Sequence, residues 1–265
     1  MTEQAQTRRE LNARDYKKGR GVKGYILGFI GFLGELMITF GVLLGLFVVW
    51  QLFWTDVQFA RHQKEIFQEL NWETPKDTPA VQIPTGDPPI IDEPEEGSII
   101  GALYVPKFGA DYEVAIAEGI DKRSILDKLG IGHYDDTAMP GDIGNFAIAG
   151  HRVTYGKPFN KIADLEPGDS LIVLVDGKEQ GKYWYVYEVT NSLIVDPDAV
   201  EVIQPAPKSM PLTQGGTVAG RYITLTACHP MYSLKERYIT HGEFKYWLPF
   251  EDGTPQELLD AKEGK

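Results

Sequence analysis

The sequence predicts a mainly β domain, a barrel or a sandwich with few short helices, preceded by one transmembrane helix. Three observations support this. A long apolar segment lies near the N-terminus, short β-branched and aromatic runs alternate with Gly, Pro and Asp beyond residue 97, and helical periodicity is confined to brief segments. At 265 residues the chain is long enough for one well-buried domain with accessory segments.

The N-terminal segment has the features of a membrane anchor. Residues 1–24 form a basic tail with seven Lys or Arg against three acids, and the apolar segment 25–54 follows directly. Its uncharged part, residues 36–54, has 19 residues, which is enough to cross a hydrocarbon core. The basic flank predicts a cytoplasmic N-terminus and an extracellular remainder. A cleaved signal peptide is the alternative, but its apolar core would be shorter and followed by small residues, so the tryptophan-rich end favours an uncleaved anchor.

Two accessory segments follow the anchor. The apolar pattern of residues 55–71 predicts a juxtamembrane helix. Its apolar positions are Val57, Phe59, Ile66, Phe67 and Leu70. Residues 72–97 contain six prolines and many acids. Such a segment buries little apolar surface, so we expect an extended linker that holds the next domain away from the membrane.

The remaining chain, residues 98–250, carries the predicted β domain. Seven segments are predicted as strands, at residues 99–105, 113–117, 145–149, 170–175, 182–189, 221–227 and 238–247. The helical pieces are residues 124–129 and a turn around residues 159–164. Residues 251–265 are polar, and we expect a frayed C-terminal tail.

Composition limits the function classes. The formal net charge of −12 would repel phosphate backbones, so no nucleic-acid partner is expected. Cys228 is the single cysteine, which excludes an internal disulfide. No CxxC, HxxxH or HxH spacing occurs, and neither a metal nor another cofactor is expected. A lone thiol is usually a buried hydrophobe, and a reactive one needs a base and a cation nearby.

The surroundings of Cys228 indicate a reactive thiol. Strand alternation over residues 221–228 places Cys228 on one face with Thr224 and Thr226, and Pro230 ends the strand just beyond it. A loop over residues 229–236 would then return the chain beside this strand and bring Arg237 close to the thiol. An arginine there stabilises a thiolate or an oxyanion.

His151 is the best candidate for the base, because it ends the apolar strand predicted at residues 145–149. His229 would point to the face opposite Cys228, His62 belongs to the juxtamembrane helix, and His241 lies inside a strand. His133 is the strongest rival, and a structural role in a loop is favoured for it.

Three motifs resemble a known family. They are residues 138–152, which end in Ala-Gly-His151-Arg, the strand Thr224-Leu-Thr-Ala-Cys228, and Glu236-Arg237-Tyr. In this order they resemble the sortases, most of all the class E enzymes of high-GC Gram-positive bacteria. The resemblance covers about residues 98–250 and implies an eight-stranded sortase β-barrel, with His151, Cys228 and Arg237 as the catalytic trio.

The resemblance also implies a reaction and its partners. A sortase cleaves an LAxTG- or LPxTG-like signal between Thr and Gly through a cysteine thioester. It then transfers the cargo, a surface protein with a C-terminal sorting signal, to an amine on a lipid-linked peptidoglycan precursor or the wall. Tyr112 and Thr226 are the implied substrate-binding residues. One position departs from the family pattern T-L-x-T-C, since Ala227 precedes the cysteine.

Two alternatives remain open from the residues alone. An L,D-transpeptidase is also an extracytoplasmic Cys/His acyl-transfer enzyme, although its Ser-x-Gly-Cys context is absent. A non-catalytic, membrane-tethered scaffold would need no reactive thiol.

Overall fold

The computed structural model describes residues 22–73, 75–80, 82–207 and 219–264. Residues 1–21 of the predicted basic tail lie outside the described residues. The chain divides between Phe53 and Trp54 into two units.

The first unit is the apolar part of a long helix, α1 (Val22–Glu69). Its segment Val22–Trp50 is long and apolar enough to cross a membrane. At 1.5 Å per residue these 29 residues extend about 43 Å, more than a hydrocarbon core requires. Its apolar side chains are exposed on every face of the helix, as expected for a helix whose solvent is lipid.

The second unit begins with the C-terminal turns of α1, which pack on the β domain. Gln63 and Ile66 are buried there. The side chain of Gln63 donates to the carbonyl of Leu129 at 2.7 Å and accepts from the amide of Ala115 at 2.8 Å. The predicted juxtamembrane helix is therefore the docked end of α1 rather than a separate helix.

The segment at residues 72–97 is not the free spacer that its composition predicts. Its described residues form no helix or strand, but they run along the β domain with Ile91 buried in the core. Tyr185 donates to the carbonyl of Pro89 at 2.7 Å, and Arg221 pairs with Asp87 at 2.8 Å. The expectation fails because the β domain supplies the apolar surface and the hydrogen-bond partners that the segment itself lacks.

Eight strands of the described residues close into a barrel, which confirms the predicted β fold and selects the barrel over the sandwich. The strands are β1 (Ile99–Tyr104), β2 (Glu113–Glu118), β3 (Ile131–His133), β4 (Gly144–Gly150), β5 (Ser170–Asp176), β6 (Lys182–Val195), β7 (Arg221–His229) and β8 (Glu236–Pro249). Their order around the barrel is β1-β2-β3-β4-β7-β8-β6-β5. The sequence misses only β3, because three residues are too few for a periodic signal.

Two neighbouring strand pairs position the site. β4 and β7 run parallel, in a register that extends from Gly144 opposite Arg221 to Ala149 opposite Thr226. Their carboxyl ends therefore meet at one rim of the barrel. β8 runs antiparallel to β7 and starts at the same rim.

The barrel interior is filled by apolar and aromatic side chains. Phe146 and Ile148 of β4 are 1% and 0% exposed, and Ile223 and Leu225 of β7 are fully buried beside them. Burial of each such side chain contributes roughly 1.5–3 kcal/mol, so the strands that carry the site are firmly anchored.

The C-terminal segment is ordered, against the expectation of a frayed tail. A helix, α2 (Gln256–Glu263), follows the barrel and buries Leu258 against it. Tyr246 donates to Glu257 at 2.6 Å, and Lys262 pairs with Asp77 at 2.6 Å. One apolar anchor and these polar contacts suffice, although most of the helix surface is hydrophilic.

Candidate active site

Cys228 lies near the end of β7, and Arg237 is its direct partner on β8. Directly paired residues of antiparallel strands have their side chains on the same face. Cys228 is partly exposed, whereas the preceding residues of β7 from Tyr222 to Ala227 are buried. The thiol therefore lies where the strand emerges from the barrel wall, as the sequence predicts.

Arg237 is held by the connection between β7 and β8. Its Nη1 donates to the carbonyl of Leu234 at 3.1 Å and to the carbonyl of Glu236 at 3.0 Å. Arg237 also pairs with Val195 of β6 on its other side. A guanidinium fixed in this way has further donors left for a substrate oxygen.

His151 directly follows β4. The last pair of the β4/β7 ladder joins Ala149 to Thr226, and His151 and Cys228 each lie two residues further along the chain. The parallel register thus places His151 and Cys228 at the same rim of the barrel. Gly150 is required at this approach, since a Cβ atom there would lie 2.8 Å from the ring of Phe159.

A carboxylate that the sequence analysis did not single out contacts His151. Oδ1 of Asp127 lies 2.7 Å from Nε2 of His151, and both side chains are mostly buried. Lys122 lies 2.9 Å from Oδ2 of the same carboxylate. Asp127 is 24 residues from His151 in the chain, and only the fold brings the two together.

Arg152 is a second cation that the sequence analysis missed. It is 6% exposed, its Nη1 lies 2.6 Å from Nδ1 of His229, and its guanidinium stacks over Tyr238 at 5.3 Å. Its Nε is buried without an acceptor in the described part of the chain. Because Arg152 follows His151 and His229 follows Cys228, this contact joins the ends of the two strands.

A small cavity of about 90 Å³ lies beside Arg237 and is bounded by residues that follow β6. Thr226 and Arg237 form part of its wall together with Tyr134, and Val195, Val200 and Ile203 contribute from β6 and the connection. Tyr134 and Thr226 are joined by a hydrogen bond of 3.0 Å between their hydroxyl oxygens. Thr226, which the sequence predicts to lie on the same strand face as Cys228, therefore lines a cavity.

Tyr112 lies elsewhere. Its hydroxyl donates to the carbonyl of Pro158 at 2.9 Å, its ring packs edge to face on Phe108, and burial raises its pKa. It contacts the segment after His151 and does not line the cavity at Thr226. Its role as a substrate contact stays a prediction, and Tyr134 is the tyrosine that the fold places at the cavity.

The other histidines of the barrel have structural surroundings. His133 belongs to β3, not to a loop as expected, and it is fully buried between Glu118 at 2.8 Å and Thr137 at 2.8 Å. His241 lies inside β8, bonds Thr224 at 2.9 Å, and has its pKa lowered to about 4 by burial. Among the residues that the structure describes, no three His, Cys, Asp or Glu side chains are grouped to hold a metal ion.

Comparisons with known proteins agree on the family. Residues 103–245 match the sortase domain. The chain is 38% identical to sortase SrtE1 of Streptomyces coelicolor over 235 residues, covering 86% of this chain and 60% of that protein. It is 32% identical to sortase SrtE2 of the same organism, covering 81% of each chain. The chain thus spans less than two thirds of the length of SrtE1.

Solved structures give the same result. The SrtA sortase from Actinomyces oris is 38% identical with a TM-score of 0.59, covering 66% of this chain and 96% of that one. Sortase E1 from Streptomyces coelicolor, solved with a tripeptide in the active site, is 38% identical with a TM-score of 0.54, covering 61% and 97%. With its closed eight-stranded barrel and a matching domain over more than half its length, this chain belongs to the sortase family, whose members are cysteine transpeptidases.

Proposed function

We propose that this chain is a membrane-anchored transpeptidase that cleaves an LAxTG- or LPxTG-like sorting signal between Thr and Gly. Cys228 is the nucleophile, His151 the acid and base, and Arg237 the cation at the oxyanion. The observation that carries the proposal is the rim of the barrel, where Cys228 is paired with Arg237 and where β4 ends directly before His151.

The reaction proceeds in two acyl transfers. The Cys228 thiolate attacks the Thr carbonyl carbon, and Arg237 donates to the oxyanion that forms. The C–N bond then breaks as the His151 imidazolium gives its proton to the departing glycine amine, which leaves a thioester. An incoming amine attacks the thioester, gives its proton to His151, and releases the Cys228 thiolate.

The cavity beside Thr226 supports a peptide substrate. It opens next to Arg237 and has both apolar walls and the hydroxyls of Tyr134 and Thr226, a combination that suits small peptide side chains. The Streptomyces coelicolor enzyme was solved with a tripeptide in its active site, which supports a peptide ligand for the proposed site of this chain. Ala227 is buried in β7, so its methyl group serves packing rather than substrate contact.

The cargo and acceptor follow from the same proposal. Surface proteins with C-terminal sorting signals supply the acyl group, and an amine of a lipid-linked peptidoglycan precursor or of the wall accepts it. The helix Val22–Trp50 anchors the enzyme with its N-terminus in the cytoplasm and its barrel outside, in agreement with the basic residues that precede the span.

The deciding experiment uses the full chain in detergent or nanodiscs. Matched fluorogenic peptides with Ala or Pro at the second position of the signal are incubated with an amine acceptor, and products are identified by mass. Cleavage between Thr and Gly, a thioester on Cys228 and transfer to the amine are expected. Persistent cleavage by Cys228→Ala would refute the assignment of the nucleophile.

The two alternatives give different outcomes. An L,D-transpeptidase would leave sorting peptides intact and form 3–3 cross-links between muropeptides. A scaffold would cleave nothing, and its Cys228 would resist iodoacetamide at neutral pH. For the transpeptidase, Cys228 of the folded full chain is expected to be alkylated rapidly. After denaturation its alkylation rate should fall to that of a free thiol.

A further inference from the structure

We propose that Asp127 is a positioning residue for His151, and that it assigns the proton exchanged with the substrate to Nδ1 of the imidazole. This inference rests on the proposed role of His151 as acid and base. The observation behind it is the contact of 2.7 Å between Oδ1 of Asp127 and Nε2 of His151.

The contact is well protected. The side chains of His151 and Asp127 are 15% and 12% exposed, so water competes weakly for the hydrogen bond. A bond between a carboxylate and an imidazole is charge-assisted, and it is stronger than one between neutral partners. The pair therefore fixes the orientation of the His151 imidazole ring, and the two side chains do not turn towards solvent.

The carboxylate itself is rigidly supported. Asp127 follows a short helical turn (Lys122–Leu126), and its amide donates to the carbonyl of Lys122 at 2.8 Å. Two residues further, the carbonyl of Leu129 accepts from Gln63 of α1. Asp127 therefore sits between two backbone attachments rather than on a free loop.

Lys122 and Tyr155 complete the surroundings. Nζ of Lys122 lies 2.9 Å from Oδ2 of Asp127, and this hydrogen bond raises the pKa of Lys122. The ring of Tyr155 lies 5.3 Å from the ring of His151 and 5.4 Å from Nζ of Lys122. The ammonium offsets part of the carboxylate charge, and the tyrosine ring limits tilting of the imidazole.

The chemical consequence follows from the two ring nitrogens. While Asp127 accepts the Nε2 proton, that proton stays in place through both acyl transfers. Nδ1 is then the nitrogen that gives a proton to the departing amine and takes one from the incoming amine. Each transfer leaves Asp127 ionised, because the carboxylate accepts a hydrogen bond but no proton.

The test compares Asp127→Asn and Asp127→Ala with the exposed control Asp135→Ala, all in the full chain in detergent. If Asp127 positions His151, Asp127→Ala lowers kcat about 100-fold, the lower end of what a positioned acid–base group contributes, and leaves KM within about twofold. Asp127→Asn keeps an acceptor oxygen and loses less. Melting temperatures identify folded variants, and the isosteric Asn variant carries the test if the Ala variant does not fold.

A readout independent of turnover separates this inference from the proposed function. With ¹⁵N-labelled histidine the chain has five side chains to resolve, and His151→Gln assigns the signal of His151. Neutral His151 is expected to carry its proton on Nε2 in the wild type and to lose this preference in Asp127→Ala. An inactive wild type with this tautomer would refute the function alone. Wild-type or raised kcat in Asp127→Ala, or an unchanged tautomer, would overturn the positioning role.

Discussion

Arg152 donates a hydrogen bond of 2.6 Å to Nδ1 of His229, and so ties the residue after His151 to the residue after Cys228. The tie lies beyond the last backbone pair of the β4/β7 ladder, Ala149 with Thr226. The separation of imidazole and thiol at the rim therefore depends on a side-chain contact as well as on the sheet.

Removal of the hydrogen bond between Arg152 and His229 is expected to make the positions of the catalytic trio less fixed. Arg152→Ala should lower kcat/KM about tenfold or more, since a small misplacement of reacting groups is costly. It should also lower the free energy of unfolding by about 1.5–3 kcal/mol, the range for a hydrogen bond to a charged group. Peptide kinetics and urea unfolding of the full chain in nanodiscs measure the two effects.

The matched control is Arg221→Ala, at the opposite end of the same strand pair. Arg221 donates to the carbonyl of Gly141 at 2.7 Å and pairs with Asp87. Its loss should reduce stability and leave kcat unchanged. Equal effects of the two variants on kcat would show that the Arg152 contact supports folding only.

Arg237 is expected to act on the oxyanion rather than on stability. Arg237→Lys keeps the charge but loses the planar set of donors, and it should lower kcat about 100-fold, as for the loss of one oxyanion donor. The melting temperature should change little, because Arg237 is half-exposed. Lys235→Ala, an exposed cation of the same connection, is the control. Full activity of Arg237→Lys would remove Arg237 from the mechanism.

The two candidate tyrosines are separable by paired variants. Tyr134→Phe removes a hydroxyl that bonds Thr226 at the cavity, and it should raise KM for the sorting peptide several-fold with a smaller effect on kcat. Tyr112→Phe removes a partly buried hydrogen bond to Pro158 and should cost about 1 kcal/mol of stability with KM unchanged. The reverse pattern would restore Tyr112 as the substrate contact.

The docked end of α1 is expected to support the barrel. A Cβ atom on Gly156 would lie 2.0 Å from Phe59, so the phenyl ring packs directly on the segment after His151. Phe59→Ala should lower the free energy of unfolding by about 2 kcal/mol, less than a fully buried Phe because the ring is half-buried. Lys64→Ala, exposed on the same turn region, should be neutral. Identical urea midpoints for both variants would contradict the docking.

Because of the buried His241, the folded protein is expected to lose stability in acid. Burial lowers its pKa from 6.5 to about 4, so the unfolded chain binds a proton at a pH where the folded chain does not. The stabilisation is complete above pH 6.5 and is lost as the pH falls towards 4, by up to about 3 kcal/mol. His241→Asn should remove this part of the dependence, measured as the difference from wild type between pH 7 and 4.5. Parallel curves for the two proteins would refute the prediction.

Local pattern in the sequence determined the long apolar N-terminal helix, seven of the eight strands, and the placement of Cys228, His151 and Arg237 at strand ends. Those features depend on alternation, apolar length and breaking residues, which act between near neighbours in the chain. The same reasoning failed for residues 72–97 and 251–265. Their own composition is polar, and the surface that orders them belongs to distant strands.

Only the tertiary structure decided how the site is supported. β4 and β7 are separated by about 70 residues, and their parallel register brings His151 and Cys228 to the same rim of the barrel. Asp127, Arg152 and Tyr134 reach the site from loops and strand ends whose sequence gives no periodic signal. A hydrogen bond between such side chains forms only when the donor–acceptor distance is right to within a few tenths of an ångström. Strand pairing across the closed barrel sets the positions of both partners.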